Sequence, residues 1–326
     1  MERILEASGS YRNLRTVLLA GGVGGARMAL GLAAAVEPEN LTVIVNVGDD
    51  ATMYGALVCA DLDTVTYTLA GINGARGWGI ADDTHIVMDH LATAGIDTTF
   101  ELGDRDLAHC LARTLHLSKG GSLSGFTAAA ADRLGIGCTI LPASDEPIRT
   151  KIETAQGEQL DFQDYFVLRR HRDDVRGLMY LGIEDARPAP GAVEAVAGAD
   201  LIVIAPSNPP LSIWPILGLT ALGDAVRSHP QVVAVSPLIG GRAVKGPLVQ
   251  VMGGLGLPPT NFGILTAYED LLTHFVIDRS DAADAPGLAR LGVDVLVANT
   301  LITDPAASTA LAIETFEHVA SHPIAQ

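Results

Sequence analysis

The chain has 326 residues, 48% of them apolar, with 35 glycines and 17 prolines. That is enough to bury a large core and turn the chain often, as one large or two smaller domains. Its net charge of −17 excludes a nucleic-acid or anionic-membrane surface, because such binding rests on Lys and Arg set against phosphate.

Only Lys119, Lys151 and Lys245 are lysines, so any phosphate recognition falls to arginine, helix ends and a recruited divalent metal. Cys59, Cys110 and Cys138 are widely spaced, with no CxxC. This fits a reducing cytoplasm and argues against zinc or a disulfide framework. The first dozen residues read as a short extension, with one catalytic domain expected over 13–326. The apolar stretch 17–36 is interrupted by glycines and Arg27, which marks soluble strand–turn–helix rather than a signal peptide or a span.

Thr16–Arg27 (TVLLAGGVGGAR) passes from an aliphatic run into four glycines within five residues, then into MALGLAAAV. This predicts a buried strand, a glycine turn and a helix whose N-terminus suits a phosphate. Gly22 and Gly24 match the first two glycines of GxGxxG, but Arg27 stands at the third, and no Gly-Lys-Ser/Thr follows to make a P-loop. Leu41–Val45 is a second buried strand, ending in Asn46-Val47-Gly48-Asp49-Asp50. The resulting βαβ start predicts a parallel sheet with ligands at its carboxyl edge.

Asp61-Leu62-Asp63-Thr64 opens an apolar segment, where Asp63 or Thr64 reads equally well as a helix cap. Trp78 sits in a glycine loop (GWG), a stacking surface for a planar ligand or a lid on the core. Gly103–Asp106 begins a helix with Leu107, Leu111 and Leu115 as its apolar positions, ending at Gly120-Gly121. His109, Arg113 and His116 lie on that helix without a partner motif.

From 134 to 166 the runs shorten, and a Gln-Gly turn between alternating segments predicts a hairpin. The α/β rhythm resumes with strands at 199–205, 232–235, 275–278 and 293–298. The first two end in Pro206-Ser207-Asn208-Pro209 and Ser236–Gly241. The expected architecture is therefore α/β and Rossmann-like: a mostly parallel sheet with helices on both faces. Its core is expected at about 13–99 and 195–326, with a smaller inserted α+β region at about 100–194.

In order along the chain, GGVGGAR (21–27), NVGDD (46–50), DLDT (61–64), RGWG with DDT (76–84) and LGDRDLA (102–108) carry a resemblance. It continues through LPASDEP (141–147), FQDYFV (162–167), APSNPPLSIWPIL (205–217) and VSPLIGGRAVKGP (235–247). These blocks resemble the CofD/FbiA family, the 2-phospho-L-lactate and phosphoenolpyruvate transferases of deazaflavin coenzyme F-420 biosynthesis.

The resemblance implies attack of the ribityl hydroxyl of Fo on a guanosine-diphospho-linked three-carbon acid, with loss of GMP, Mg²⁺ as cofactor and a cytoplasmic homodimer. The acid is lactate, enolpyruvate or glycerate. Asp49 and Asp63 are the expected metal ligands, with Asp50 and Asp61 in reserve and Asp63 also a candidate general base. Gly22, Gly24 and Gly25 would present N–H groups to phosphate. Arg27, Arg105 and Lys245 would neutralise the diphosphate or the acid's carboxylate. Ser207 and Asn208 would meet guanine or ribose, and Trp78 the deazaflavin ring.

Two other readings compete. A related family of nucleotide-sugar-binding regulators, the gluconeogenesis-factor proteins, shares the first glycine loop, but its later loop resembles GPGSLYTS where this chain has APSNPPLS. A nicotinamide dehydrogenase is disfavoured by Asn46, which follows the second strand where an acid would bind ribose.

Overall fold

A computed structural model describes residues 11–244 and 246–322. Seven parallel strands form the central sheet: β1 (Thr16–Ala20), β2 (Leu41–Val45), β3 (Thr139–Pro142), β4 (Leu201–Ile204), β5 (Val232–Val235), β6 (His274–Asp278) and β7 (Asp294–Ala298). Their spatial order is β7-β6-β5-β4-β1-β2-β3. The chain thus winds outward from β1 through β2 to β3, then returns beside β1 with β4 and winds the other way. β1, β4 and β5 are uniformly buried, as aliphatic strands covered by helices on both faces must be.

The place where the winding reverses, between β1 and β4, leaves a crevice at the strands' carboxyl ends. Three helices frame it, α1 (Gly22–Ala35), α2 (Ala60–Leu69) and α3 (Asp104–Ser118), and a fourth, α4 (Pro305–Ser321), follows β7. α1 is flanked by α2 and by α4. Among the described residues no helix is long and apolar enough to cross a membrane.

The hairpin expected around Gln156-Gly157 is present: strands 149–154 and 159–161 pair antiparallel, with 175–181 on the other side. Gly157 takes φ +84°, which the tight turn requires and glycine permits. The expected boundary of the inserted region meets a difference at β3. This strand lies within 100–194, yet it pairs in parallel with β2 as the edge of the main sheet. A short apolar run does not reveal its partner, and parallel pairing joins segments far apart in sequence.

Of the apolar positions read on this helix, Leu107, Leu111 and Leu115, the first alone is buried. Leu111 and Leu115 are 41% and 59% exposed, while Asp106, Leu107, Cys110 and Arg113 point inward.

Candidate active site

The cleft at the switch point has a volume of about 820 Å³ and is walled by the ends of β1, β2, β4, β5 and β7 together with α2 and the start of α3. Its floor is the glycine turn. Gly21 caps α1, and Gly22 takes φ +63°. A Cβ on Gly24 would lie 2.4 Å from the Pro206 carbonyl oxygen, so a side chain there would force β1 and β4 apart at the cleft. Gly25 is packed against Ala20 and does not line the cleft.

Ser207 pins the turn from the β4 side. Its hydroxyl donates to the Gly21 carbonyl at 2.7 Å and accepts from the Gly21 N–H at 3.3 Å. The first-turn N–H groups of α1 have no carbonyl behind them in the helix, and Val23 and Gly24 border the cleft. This end of α1 therefore carries partial positive charge toward the cavity.

Against that positive edge stand buried carboxylates in two distinct electrostatic states. Asp49 lies in the turn after β2 and Asp61 in the first turn of α2; both line the cleft and are 5% and 7% exposed. Burial raises the Asp49 pKa well above the carboxylate range, and the charges of Asp61 and Asp50 push it further. Burial also raises Asp61, against the pull of the Asn46 side chain and the Gly22 N–H. Asn46 donates to Asp61 Oδ2 at 3.0 Å while its own Oδ1 accepts from the Gly48 N–H, which fixes the turn after β2. Asp49 Oδ1 is enclosed and has no hydrogen-bond partner.

Asp63 is in the opposite state. Burial alone would raise it, but the Arg113 guanidinium, helped by His109, holds it well below the usual carboxylate range. Arg113 is 1% exposed and grips Asp63 with both ends of its fork, at 2.6 and 2.8 Å. It also donates to the Leu57 carbonyl from Nε and Nη2, at 3.2 and 2.8 Å.

Asp106, next to this pair, accepts from the Tyr67 hydroxyl at 2.8 Å. Burial, with the Asp63 charge behind it, pushes its carboxyl up to about 6. Asp50 is turned away from the cleft, into a smaller cavity with Arg149, and burial pushes it up to about 7.

Of the sequence candidates, Gly22, Gly24, Arg27, Asp49, Asp61, Asp63, Trp78, Ser207 and Asn208 meet at this one cavity. Arg27 is held there by a 2.6 Å bond to the Ile302 carbonyl beyond β7. Asn208 caps the turn that follows through its Oδ1, which accepts from the Leu211 N–H, and its Nδ2 is enclosed without a partner. Trp78 is 45% exposed on the rim, with Arg76 over its ring.

Arg105 does not line the cleft: its side chain is 56% exposed and is drawn to Asp83 and the Ala81 carbonyl. Lys245 lies outside the described residues. Sequence reasoning passed over Arg113, Asp106, Asn46 and Tyr67. The signal for two of them was a polar stripe at helical spacing, Asp106-Cys110-Arg113, on α3. Phe162 and Phe166 were missed as well; they stack at 5.5 Å and 11° on one wall of the cleft.

A doubly wound sheet with a helix N-terminus and paired buried carboxylates at its switch point defines an α/β protein with its cleft where open sheets of this kind bind ligands. Residues 16–301 match the model of the family described as 2-phospho-L-lactate transferase CofD. The chain is 41% identical over 313 residues to a phosphoenolpyruvate transferase of Kitasatospora aureofaciens, covering 92% of this chain and 98% of that one. It is 37% identical over 297 residues to a 2-phospho-L-lactate transferase of Methanosarcina mazei, covering 91% and 97%. A solved structure from Bacillus halodurans, of the UPF0052 family, superposes with a TM-score of 0.61 at 16% identity, over 92% of this chain and 99% of that one, a likeness of fold. The chain belongs to the CofD family of transferases.

Proposed function

We infer that this cleft joins the terminal ribityl hydroxyl of Fo to the phosphorus that carries a three-carbon acid in a guanosine-diphospho donor. A new phosphorus–oxygen bond forms at the alcohol oxygen, the bond to the GMP phosphate breaks, and GMP leaves with the electron pair. The relatives' names divide between phosphoenolpyruvate and 2-phospho-L-lactate, so the acid is one of these or the related glycerate derivative.

The observation that carries the reading is the unpartnered Asp49 Oδ1 beside Asp61, both buried and both facing the positive end of α1. Two adjoining buried carboxylates with raised pKa values and an orphaned oxygen fit a hard divalent cation such as Mg²⁺. Asp49 and Asp61 would hold it. Asp63 is disfavoured as a ligand because Arg113 already occupies both of its oxygens. Bound there, magnesium supplies positive charge for the diphosphate oxygens.

The chain's own groups do the rest. The α1 N-terminus and Arg27 bind and orient phosphate, and Asn208 Nδ2 offers a donor to the nucleoside. Asp106 takes the alcohol proton, since a carboxyl near 6 is matched to that task near neutrality. Trp78 and the stacked Phe162–Phe166 pair give flat apolar surface for the deazaflavin ring. Three buried free cysteines fit a cytoplasmic setting, and the family resemblance points to a homodimer.

The test is mass spectrometry of Fo incubated with Mg²⁺ and each of the three guanosine donors. Formation of the matching phosphodiester with GMP release is expected, and adenosine analogues should react far more slowly. No product with any donor, together with tight binding of a UDP-sugar, would overturn the reading in favour of a regulator.

A further inference from the structure

At the far end of the sheet from the cleft, three side chains from two elements converge. Asp294 begins β7 and stands in register with His274 at the start of β6. His318 lies in the last turn of α4, and His322 follows one turn later as its C-cap. A carboxylate oxygen of Asp294 and one ring nitrogen from each of His318 and His322 lie within 4.8 Å of one another. His318 is nine-tenths buried, and its Nε2 is enclosed with no hydrogen-bond partner, 3.3 Å from Asp294 Oδ1. A tetrahedral ion with bonds of ~2.0–2.1 Å sets its ligands about 3.3 Å apart, so this pair already spans one edge of such a site.

We propose that Asp294, His318 and His322 form a transition-metal site, taking Zn²⁺ in preference to Mg²⁺ and tying the end of α4 to the edge of the sheet. Two imidazoles and one carboxylate suit a borderline ion, whereas magnesium prefers an all-oxygen shell. Two further features support the geometry. The C-terminus of a seventeen-residue helix carries partial negative charge, which favours a cation at its end. His274, fully buried on β6, sits with Nε2 3.1 Å from the His322 carbonyl oxygen. Its N–H must donate there, which anchors the backbone that carries His322, as outer-shell partners of metal ligands do.

The site is structural in its reach. α4 lies against α1, where the Ser308 hydroxyl donates to the Arg27 carbonyl. A clamp on α4 therefore braces the helix that presents the glycine turn to the cleft.

The experiment uses the full chain freed of metal with a chelator, then titrated with Zn²⁺ by calorimetry and with Co²⁺ by visible absorption. Wild type is expected to take Zn²⁺ at this site, to show the intense bands of low-symmetry Co²⁺ and to gain thermal stability with Zn²⁺ but not with Mg²⁺. His322→Gln, at an exposed position, should weaken the binding more than the roughly 10–100-fold typical of losing an outer-shell partner, and Asp294→Asn should behave alike. Asp49→Asn, in the cleft, should leave these bands intact. Zinc affinity and cobalt bands unchanged in both His322→Gln and Asp294→Asn, or zinc binding in wild type removed by Asp49→Asn, would overturn the proposal.

Discussion

Arg113→Met leaves Asp63 in place, buried, and without its counter-charge. Breaking a buried ion pair from one side costs about 3–5 kcal/mol, because the remaining charge has lost its solvent and its partner. The Leu57 carbonyl also loses its two guanidinium donors, which adds about 1 kcal/mol. Against a typical total of about 5–15 kcal/mol the variant is expected to fold, but with a much lower urea midpoint.

The pH dependence gives the sharper signature. In wild type the folded pKa of Asp63 is depressed, so its contribution is present above the unfolded value and lost as pH falls through the folded one. In Arg113→Met only His109 is left to oppose burial, so the folded pKa rises from its wild-type position, and the cost of the variant is largest at neutral pH and shrinks as pH falls below the unfolded value. Urea melts at pH 7 and pH 4 should therefore show a large gap between the two proteins that narrows on acidification. Arg113→Met/Asp63→Asn, which removes the stranded charge, should recover most of the loss. A cost under about 1 kcal/mol at pH 7, or a double variant no better than the single one, would refute the assignment of a buried, charge-compensated pair.

Asp61→Asn should abolish product formation while raising the melting temperature, because it removes one of two buried carboxylates that repel each other; calorimetry beside an activity assay reads both. Gly24→Ala puts a methyl group 2.4 Å from the Pro206 carbonyl oxygen, so a loss of about 1–3 kcal/mol by chemical denaturation is expected with a fall in turnover. Asp106 is raised from 3.8 to about 6, so its favourable contribution is complete below 3.8 and lost as pH rises through 6. Asp106→Asn keeps an acceptor for Tyr67 and should be more stable than wild type above pH 6, by at most about 3 kcal/mol. It should also lose the acidic limb of the rate profile, as pH–rate curves would show. Arg105→Ala, at an exposed pair, should change stability by less than about 1 kcal/mol and leave turnover near wild type.

The sheet was legible because β1, β2, β4 and β5 are continuous aliphatic runs closed by polar clusters, and burial on both faces demands that pattern. The meeting of Gly24 with Ser207 was legible for the same reason, since clusters at one sheet edge share a space. What each glycine does there was less so: Gly24 makes room for the Pro206 carbonyl, a contact that depends on β4 and β1 being neighbours, and Gly25 makes room for Ala20 at the end of β1. Arg113 was noted on its helix but given no role, because its partner is 50 residues away in the sequence. On α3 the buried face mixes both kinds: Asp106 reaches the cleft, Arg113 grips Asp63, and Leu107 and Cys110 pack in a small core with Val58 and Leu102. Arg105, in a block typical of the family, carries a charge that the start of α3 uses up locally through Asp83.

The distribution of charge among the buried acids bears on how a chain with a net charge of −17 would receive the diphosphate proposed for it. Asp63 has its counter-ion built in; Arg113 cannot leave, so that pair is electrostatically closed and serves to hold α2 against α3. Among the described residues Asp49 and Asp61 have no such cation, and what opposes their burial is the Asn46 amide, Thr150, the Gly22 N–H and the positive end of α1. Their raised pKa values mark a deficit of positive charge that folding leaves unfilled. Under the proposed function a divalent ion would fill it, and its surplus charge, with Arg27 and the helix terminus, would turn the mouth of an acidic cleft attractive to phosphate. Neutralising Asp49 and Asp61 by mutation would satisfy the fold and remove the reason for the ion to bind, which is why stability and activity should move in opposite directions at these two positions and together at Arg113.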